Sequence, residues 1–221
     1  MTSHSLPWNS TYASDKKVWG DKPSELAVYA YNYLKQSSQY KDKKDIYILD
    51  LGCGYGRDAI FLAQNLPCHI LGLDSSNKAI EMAQESITKE IDRRVEFLCY
   101  DFTTVKDKYD VILTSNLYHL LKTDERAKLR NTVRRCLKVG GLLFLSSLSV
   151  HDPQHYGKGQ PVENEENSFV DKVYLHLSTR KELEEDFSFL NISALFEREF
   201  HEYRSTNNHH HVNWILLGSL K

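Results

Sequence analysis

The chain has 221 residues, 41% of them hydrophobic and 26% charged, a composition close to the globular average that excludes a disordered or fibrous chain. At ~100 to 200 residues per domain, that length accommodates one domain, and residues 1–221 are read as a single unit. Lys and Arg number 28 against 30 Asp and Glu, a formal charge of -2, so there is no broad cationic field for a nucleic-acid backbone or an anionic membrane. A small-molecule partner is expected, with neither nucleic acid nor membrane.

In chain order, the first 20 residues carry Trp8, Tyr12 and Trp19 without a clear period and read as an irregular segment. They show no cationic start followed by an apolar core, and no apolar run approaches the ~20 residues of a membrane span, so a cytoplasmic location is expected. Ser24 to Leu34 has helical spacing through Leu26, Ala27, Ala30, Tyr31 and Leu34. Ile46 to Leu51 is an apolar strand ending in Gly52-Cys53-Gly54-Tyr55-Gly56, and Ala59 to Leu66 is a helix stopped by Pro67. His69 to Leu73 is a second strand ending at Asp74, followed by a helix over Asn77 to Glu90 that Ser75-Ser76 can cap. Val95 to Cys99 is a third strand, Asp110 to Ser115 a fourth, Asp124 to Leu137 a helix ended by Gly140-Gly141, and Leu142 to Ser147 a fifth strand.

Non-alternating strands separated by helices predict a parallel sheet covered on both faces, a Rossmann-like doubly wound α/β domain. Beyond it, His151 to Ser168 is polar and glycine-rich and reads as a long substrate-side loop, an insertion over 150–178. A short helix over Thr179 to Phe187 and two strands, Phe189 to Phe196 and Asn213 to Gly218, complete the chain. Cys53, Cys68, Cys99 and Cys136 are widely spaced and form no CxxC pair, so neither a disulfide framework nor a metal site is expected. His209-His210-His211 does not change this, because neighbours on a strand point to opposite faces and do not converge on one ion.

Ligands of open α/β sheets bind outside the carboxyl ends of the strands, so the residues that follow each strand carry the information. A dinucleotide fingerprint needs G-x-G-x-x-G to seat a pyrophosphate, but Arg57 stands where the third glycine belongs and Asp50 precedes the first. A carboxylate there disfavours an anion and suits a ligand carrying an ammonium or sulfonium group. Singly, each feature has a plain alternative: the glycines make a tight turn, Asp74 caps the following helix, and Asp101 is a turn residue. Together they stand at three successive strand ends, in the order that one nucleoside requires.

Ile48-Leu49-Asp50-Leu51-Gly52-Cys53-Gly54-Tyr55-Gly56 resembles the first motif of the class I S-adenosylmethionine-dependent methyltransferases, and the resemblance runs from about Pro23 to Leu148. It implies a seven-stranded sheet with an antiparallel last strand, S-adenosyl-L-methionine as cofactor, and methyl transfer as the activity. It assigns cofactor binding to Asp50, Gly52, Cys53, Gly54 and Gly56 in the loop, to Asp74 and Ser75 at the ribose, to Asp101 and Phe102 at the adenine, and to Ser115 after the fourth strand. The exit Ser115-Asn116-Leu117-Tyr118-His119-Leu120 lacks the Pro-Pro pair of enzymes that methylate base or glutamine amino groups. It looks similar to small-molecule methyltransferases of the tellurite-resistance and thiopurine types. For an acceptor that must lose a proton, His119, His151, His155 and Tyr156 are candidate catalytic groups, whereas a thiol or other soft anion needs only positioning. Residues 1–40, with Trp8, Tyr12, Trp19 and Tyr29, are expected to form a lid, and Glu163 to Glu166 an acidic loop tip. A nicotinamide-dependent oxidoreductase and a non-catalytic S-adenosylmethionine-binding module remain the alternatives.

Overall fold

The computed structural model describes residues 5–14, 20–203 and 208–221. Six helices are found among them: α1 (Ser5–Ser14), α2 (Glu25–Gln36), α3 (Arg57–Asn65), α4 (Asn77–Glu85), α5 (Thr123–Cys136) and α6 (Arg180–Asp186). The strands are β1 (Ile46–Leu51), β2 (Cys68–Asp74), β3 (Val95–Cys99), β4 (Tyr109–Ser115), β5 (Leu137–Leu148), β6 (Gln160–Pro161), β7 (Ser168–Val170), β8 (Tyr174–His176), β9 (Leu190–Tyr203) and β10 (Asn208–Leu220).

Seven strands form one sheet in the order β3-β2-β1-β4-β5-β10-β9. The first five are parallel, and β10 runs antiparallel to both of its neighbours, so the expected antiparallel last strand is present. The apolar runs have no polar alternation because both faces are covered. In β5, Leu142 and Phe144 point into one core with Leu26 and Leu62, while Leu143 and Leu145 point into the other with Leu129 and Phe187. Ile215 and Leu217 likewise part from Trp214 and Leu216 in β10. Helices α2 and α3 cover the first face, and α5 and α6 the second. Among the described residues, no helix is long and apolar enough to cross a membrane.

Capping sets several boundaries. The hydroxyls of Ser24, Ser76 and Thr179 accept the backbone N–H of Ala27, Ala79 and Glu182 at the starts of α2, α4 and α6. Helix α4 is shorter than its sequence suggests: Ser86 donates its hydroxyl back to Met82 O (2.8 Å) and the chain leaves the helix there.

Three further expectations are corrected. Residues 5–14 are helical rather than irregular, held by packing of Trp8 and Tyr12 against Tyr55, Ala79 and Met82 instead of by a periodic apolar face. Gly140-Gly141 does not cap α5. Strand β5 begins at Leu137, and the glycines form a bulge in which a Cβ at Gly141 would lie 2.8 Å from Lys138 O. The polar 150–178 segment is not loop throughout, since β6, β7 and β8 form a small antiparallel sheet whose strands of two or three residues are too short to show a period. The last hairpin also extends beyond the core, with Glu197 to Tyr203 pairing with Asn208 to Trp214 by backbone ladder.

Candidate active site

The chain order reverses between β1 and β4, so the tips of β1, β2, β3 and β4 open onto one crevice. A cavity of about 520 Å³ lies there, lined by residues from all four tips. Gly52, Gly54 and Gly56 all have positive φ, and the loop is pinned to the second strand, with Gly52 N and Cys53 N donating to Leu73 O at 2.8 and 3.0 Å.

Asp74 closes β2 with one oxygen accepting Gly54 N–H (2.9 Å) and the other Ser76 N–H (2.8 Å). Burial raises its pKa, and these backbone bonds, with a third from Ser75, work against that rise. A carboxylate offers about four acceptor sites, so with three backbone donors Asp74 can organise the loop and still accept a ligand hydroxyl. Asp101 accepts Thr103 N–H (2.9 Å) and caps the 3₁₀ turn Phe102–Thr104, so the turn role and a place on the cavity wall coexist.

Asp50 is almost wholly buried, and its Oδ2 has no hydrogen-bond partner among the described residues. Its pKa is driven well above the usual carboxylate range, chiefly by burial and then by the charges of Asp58 and Asp74, with Arg57 opposing. Asp58 itself is committed elsewhere, accepting Ser24 N–H (2.7 Å) and the Ser24 hydroxyl (2.6 Å) to tie α2 to α3. Ser115 Oγ is a second buried, unpartnered polar atom on the cavity wall. A buried acid with one oxygen unpartnered carries a desolvation cost that a cationic ligand offsets.

Helix α1 covers this crevice. Asn9 Oδ1 accepts the hydroxyl of Ser76 (2.7 Å), Trp8 and Tyr12 line the cavity, and Tyr12 meets Tyr55 edge-on at 6.0 Å. The main chain after it is also clamped, since Tyr55 donates to Gly20 O (2.7 Å) and Arg57 to Lys22 O (3.2 Å). Tyr29 is not part of this cover but packs edge-on against Phe144 and Phe196, and Trp19 lies outside the described residues.

Of the ten residues expected at a cofactor, Asp50, Gly52, Cys53, Gly54, Asp74, Ser75, Asp101, Phe102 and Ser115 line the cavity. Gly56 does not. It is the left-handed residue before α3, where a Cβ would lie 2.5 Å from the Phe97 ring, so its requirement is packing. The candidate bases stand apart from the cavity. His119 is buried, with Nδ1 accepting Leu148 N–H (3.2 Å) and its pKa lowered to about 3, first by burial and then by His155. His155 faces Asp152, Tyr156 donates to Asn167 Oδ1 (3.2 Å), and His151 meets Glu197 (2.7 Å). Glu165, in the acidic tip, accepts from Tyr174 and so is not a free recognition group. Glu125 and Lys128 carry no signal in the sequence, because α5 brings them to the cavity mouth from an ordinary charged helix face.

Residues 48–141 match the family described as a methyltransferase domain. Over these residues the chain carries a methyltransferase domain. An uncharacterized methyltransferase of Synechocystis sp. is 30% identical over 109 residues, covering 49% of each chain. A phosphoethanolamine N-methyltransferase of Triticum aestivum is 29% identical over 133 residues, 58% of this chain and 26% of that one. The chain thus spans half or less of the length of these curated relatives. A SAM-dependent methyltransferase structure from Methanosarcina mazei superposes with a TM-score of 0.71 at 21% identity, covering 87% of this chain and 96% of that one, a likeness of fold. The cavity fits S-adenosyl-L-methionine: the buried Asp50, whose Oδ2 has no partner among the described residues, suits its cationic groups, and Asp74 retains acceptor capacity for its ribose.

Proposed function

We propose that the chain transfers a methyl group from S-adenosyl-L-methionine to a small-molecule acceptor. The observation that carries this reading is the buried carboxylate of Asp50 beside the glycine loop, with Oδ2 unpartnered among the described residues, a setting that disfavours a pyrophosphate and suits an ammonium or sulfonium group. In this reading Asp74 accepts a ribose hydroxyl, Asp101 and Phe102 flank the adenine, and Gly52 and Gly54 leave room for the backbone to approach. Bound S-adenosylmethionine supplies an electrophilic methyl group. The protein holds the acceptor in line and excludes water, with Trp8 and Tyr12 of the 1–40 segment acting as a lid.

With His119, His155 and Tyr156 outside the cavity, the acceptor is one that needs no histidine base, such as a thiolate or another soft anion. This agrees with the small-molecule, tellurite-resistance or thiopurine type of enzyme. The balanced charge favours an enzyme that works without nucleic acid or membrane. The thiols of Cys53, Cys68, Cys99 and Cys136 are free, which supports a reducing cytoplasmic setting.

The test is transfer of tritium from the labelled methyl donor to a panel of thiols, selenols and inorganic soft anions, with Asp74→Ala as control. Label appearing in one acceptor and lost in the variant supports the reading. Tight donor binding with no transfer to any acceptor, amines and hydroxyls included, would reduce the chain to a binding module.

A further inference from the structure

Away from the cleft, the loop after β5 and the start of β10 bring a carboxylate and two imidazoles together. Asp152 is fully buried, and His155 Nδ1 lies 2.9 Å from its Oδ1 while His211 Nδ1 lies 3.4 Å from its Oδ2. The two rings stack at 5.2 Å and 18°, so both nitrogens address the same acid. One ligand atom from each residue falls within 4.8 Å of the other two, and among the described residues this is the one such group of three.

We propose that Asp152, His155 and His211 form a binding site for a divalent d-block cation of the zinc class. Donors about 2.0 to 2.2 Å from a tetrahedral ion are separated by roughly 3.3 Å; His155 Nδ1 lies 2.9 Å from one carboxylate oxygen and His211 Nδ1 3.4 Å from the other, so each imidazole is at donor spacing from the acid and small shifts bring both onto one ion. Two imidazoles and one carboxylate suit zinc and its neighbours rather than calcium or magnesium, and three protein donors leave a fourth position for water. The acid is held in place before any ion arrives. Its oxygens accept the backbone N–H groups of Gln154 (3.0 Å), His155 (2.9 Å) and Val212 (2.8 Å), the supporting contacts that orient a metal-ligating carboxylate. His155 remains about a third exposed, which gives the ion a route in.

The triple histidine does not act as a unit. His210 turns to Glu199 (3.3 Å), whereas His211, on the opposite face of β10, turns to Asp152. The site's partners therefore come from a distant turn, where sequence spacing does not reveal them. Its place gives it a task. Two residues along β10, Asn213 donates to Asn116 Oδ1 (3.0 Å), and Asn116 lines the cleft in a left-handed conformation at φ 56°. An ion bridging 152–155 to β10 fastens the strand that supports this wall.

The alternative is a metal-free cluster in which both imidazoles donate to Asp152. The full chain, stripped with chelator, is titrated with Zn²⁺ and with Co²⁺, and followed by equilibrium dialysis, cobalt absorption and thermal melting. One ion per chain is expected, with ligand-field bands of low coordination number. The melting temperature is expected to rise by roughly 5 to 10 °C at a hundredfold excess over Kd, with no comparable rise for Mg²⁺. His155→Gln and His211→Gln keep a polar group beside Asp152 and should each weaken binding at least about tenfold, while His210→Gln keeps full binding. Absence of stoichiometric binding to the unaltered chain overturns the site, as does undiminished binding by the folded Gln variants.

Discussion

Replacing Asp50 with asparagine separates the two consequences of burying an acid with an unpartnered oxygen. In the ligand-free chain, Asp50 bears the desolvation of its site and the repulsion of Asp58 and Asp74, which together raise its pKa well above the ordinary range. A carboxyl whose folded pKa is raised contributes stability that is present below the unfolded value near 3.9 and is lost as pH climbs through the folded value. The unliganded protein should therefore lose stability on going from acid to neutral pH, and Asp50→Asn should remove that part of the loss. For the cofactor the sign reverses. A hydrogen bond to a charged group is worth about 1.5 to 3 kcal/mol, so Asp50→Asn should weaken S-adenosylmethionine roughly 10- to 150-fold. Because binding a cation lowers the raised Asp50 pKa, calorimetry in buffers of different ionisation enthalpy should show more proton release for the unaltered chain than for the Asp50→Asn variant. Comparing S-adenosylhomocysteine identifies the cation, because a loss confined to the methylated ligand points to the sulfonium and a shared loss to the ammonium. Unchanged affinity together with an unchanged stability profile would refute the reasoning.

Other positions give independent checks. Gly56→Ala introduces a Cβ 2.5 Å from the Phe97 ring at a φ of +78°, and the sum of backbone strain and overpacking predicts a loss of about 2 to 5 kcal/mol in urea denaturation. An unchanged midpoint would mean that the ring moves aside freely. Tyr12→Ala removes the aromatic wall that meets Tyr55 and should weaken the cofactor by up to about tenfold in equilibrium dialysis; full affinity would detach α1 from the site. His119→Gln retains an acceptor for Leu148 N–H and should leave cofactor affinity unchanged by calorimetry, since the ring lies outside the cavity. A large loss there would return His119 to the site.

The core of the fold was legible because its signals are local. Ile46–Leu51 and Val95–Cys99 have the bounds that their apolar runs predict, and Ser24, Ser76 and Thr179 mark helix starts through their own hydroxyls. The cavity lining was legible for the same reason, since Gly52, Asp74, Asp101 and Ser115 stand at or just past strand ends. What escaped depends on distant partners. Helix α1 is ordered by Tyr55 and Ala79 rather than by its own period, and the strands β6 to β8 exist through pairing alone. The convergence of His155 and His211 on Asp152 requires β10 to lie against the turn after β5, which no spacing in the chain records. Gly56 shows the opposite limit: a motif position whose glycine answers to a phenylalanine on β3 rather than to the cavity.

The central claim is that the tips of β1, β2 and β3 hold one adenosine with its cationic end at Asp50. A crystal structure of the chain with S-adenosylhomocysteine tests it most directly. The account predicts a ribose oxygen on Asp74, the adenine beside Asp101 and Phe102, and the amino-acid end beside Asp50. A ligand bound elsewhere, or a phosphate group seated on the glycine loop in competition with it, would contradict the account.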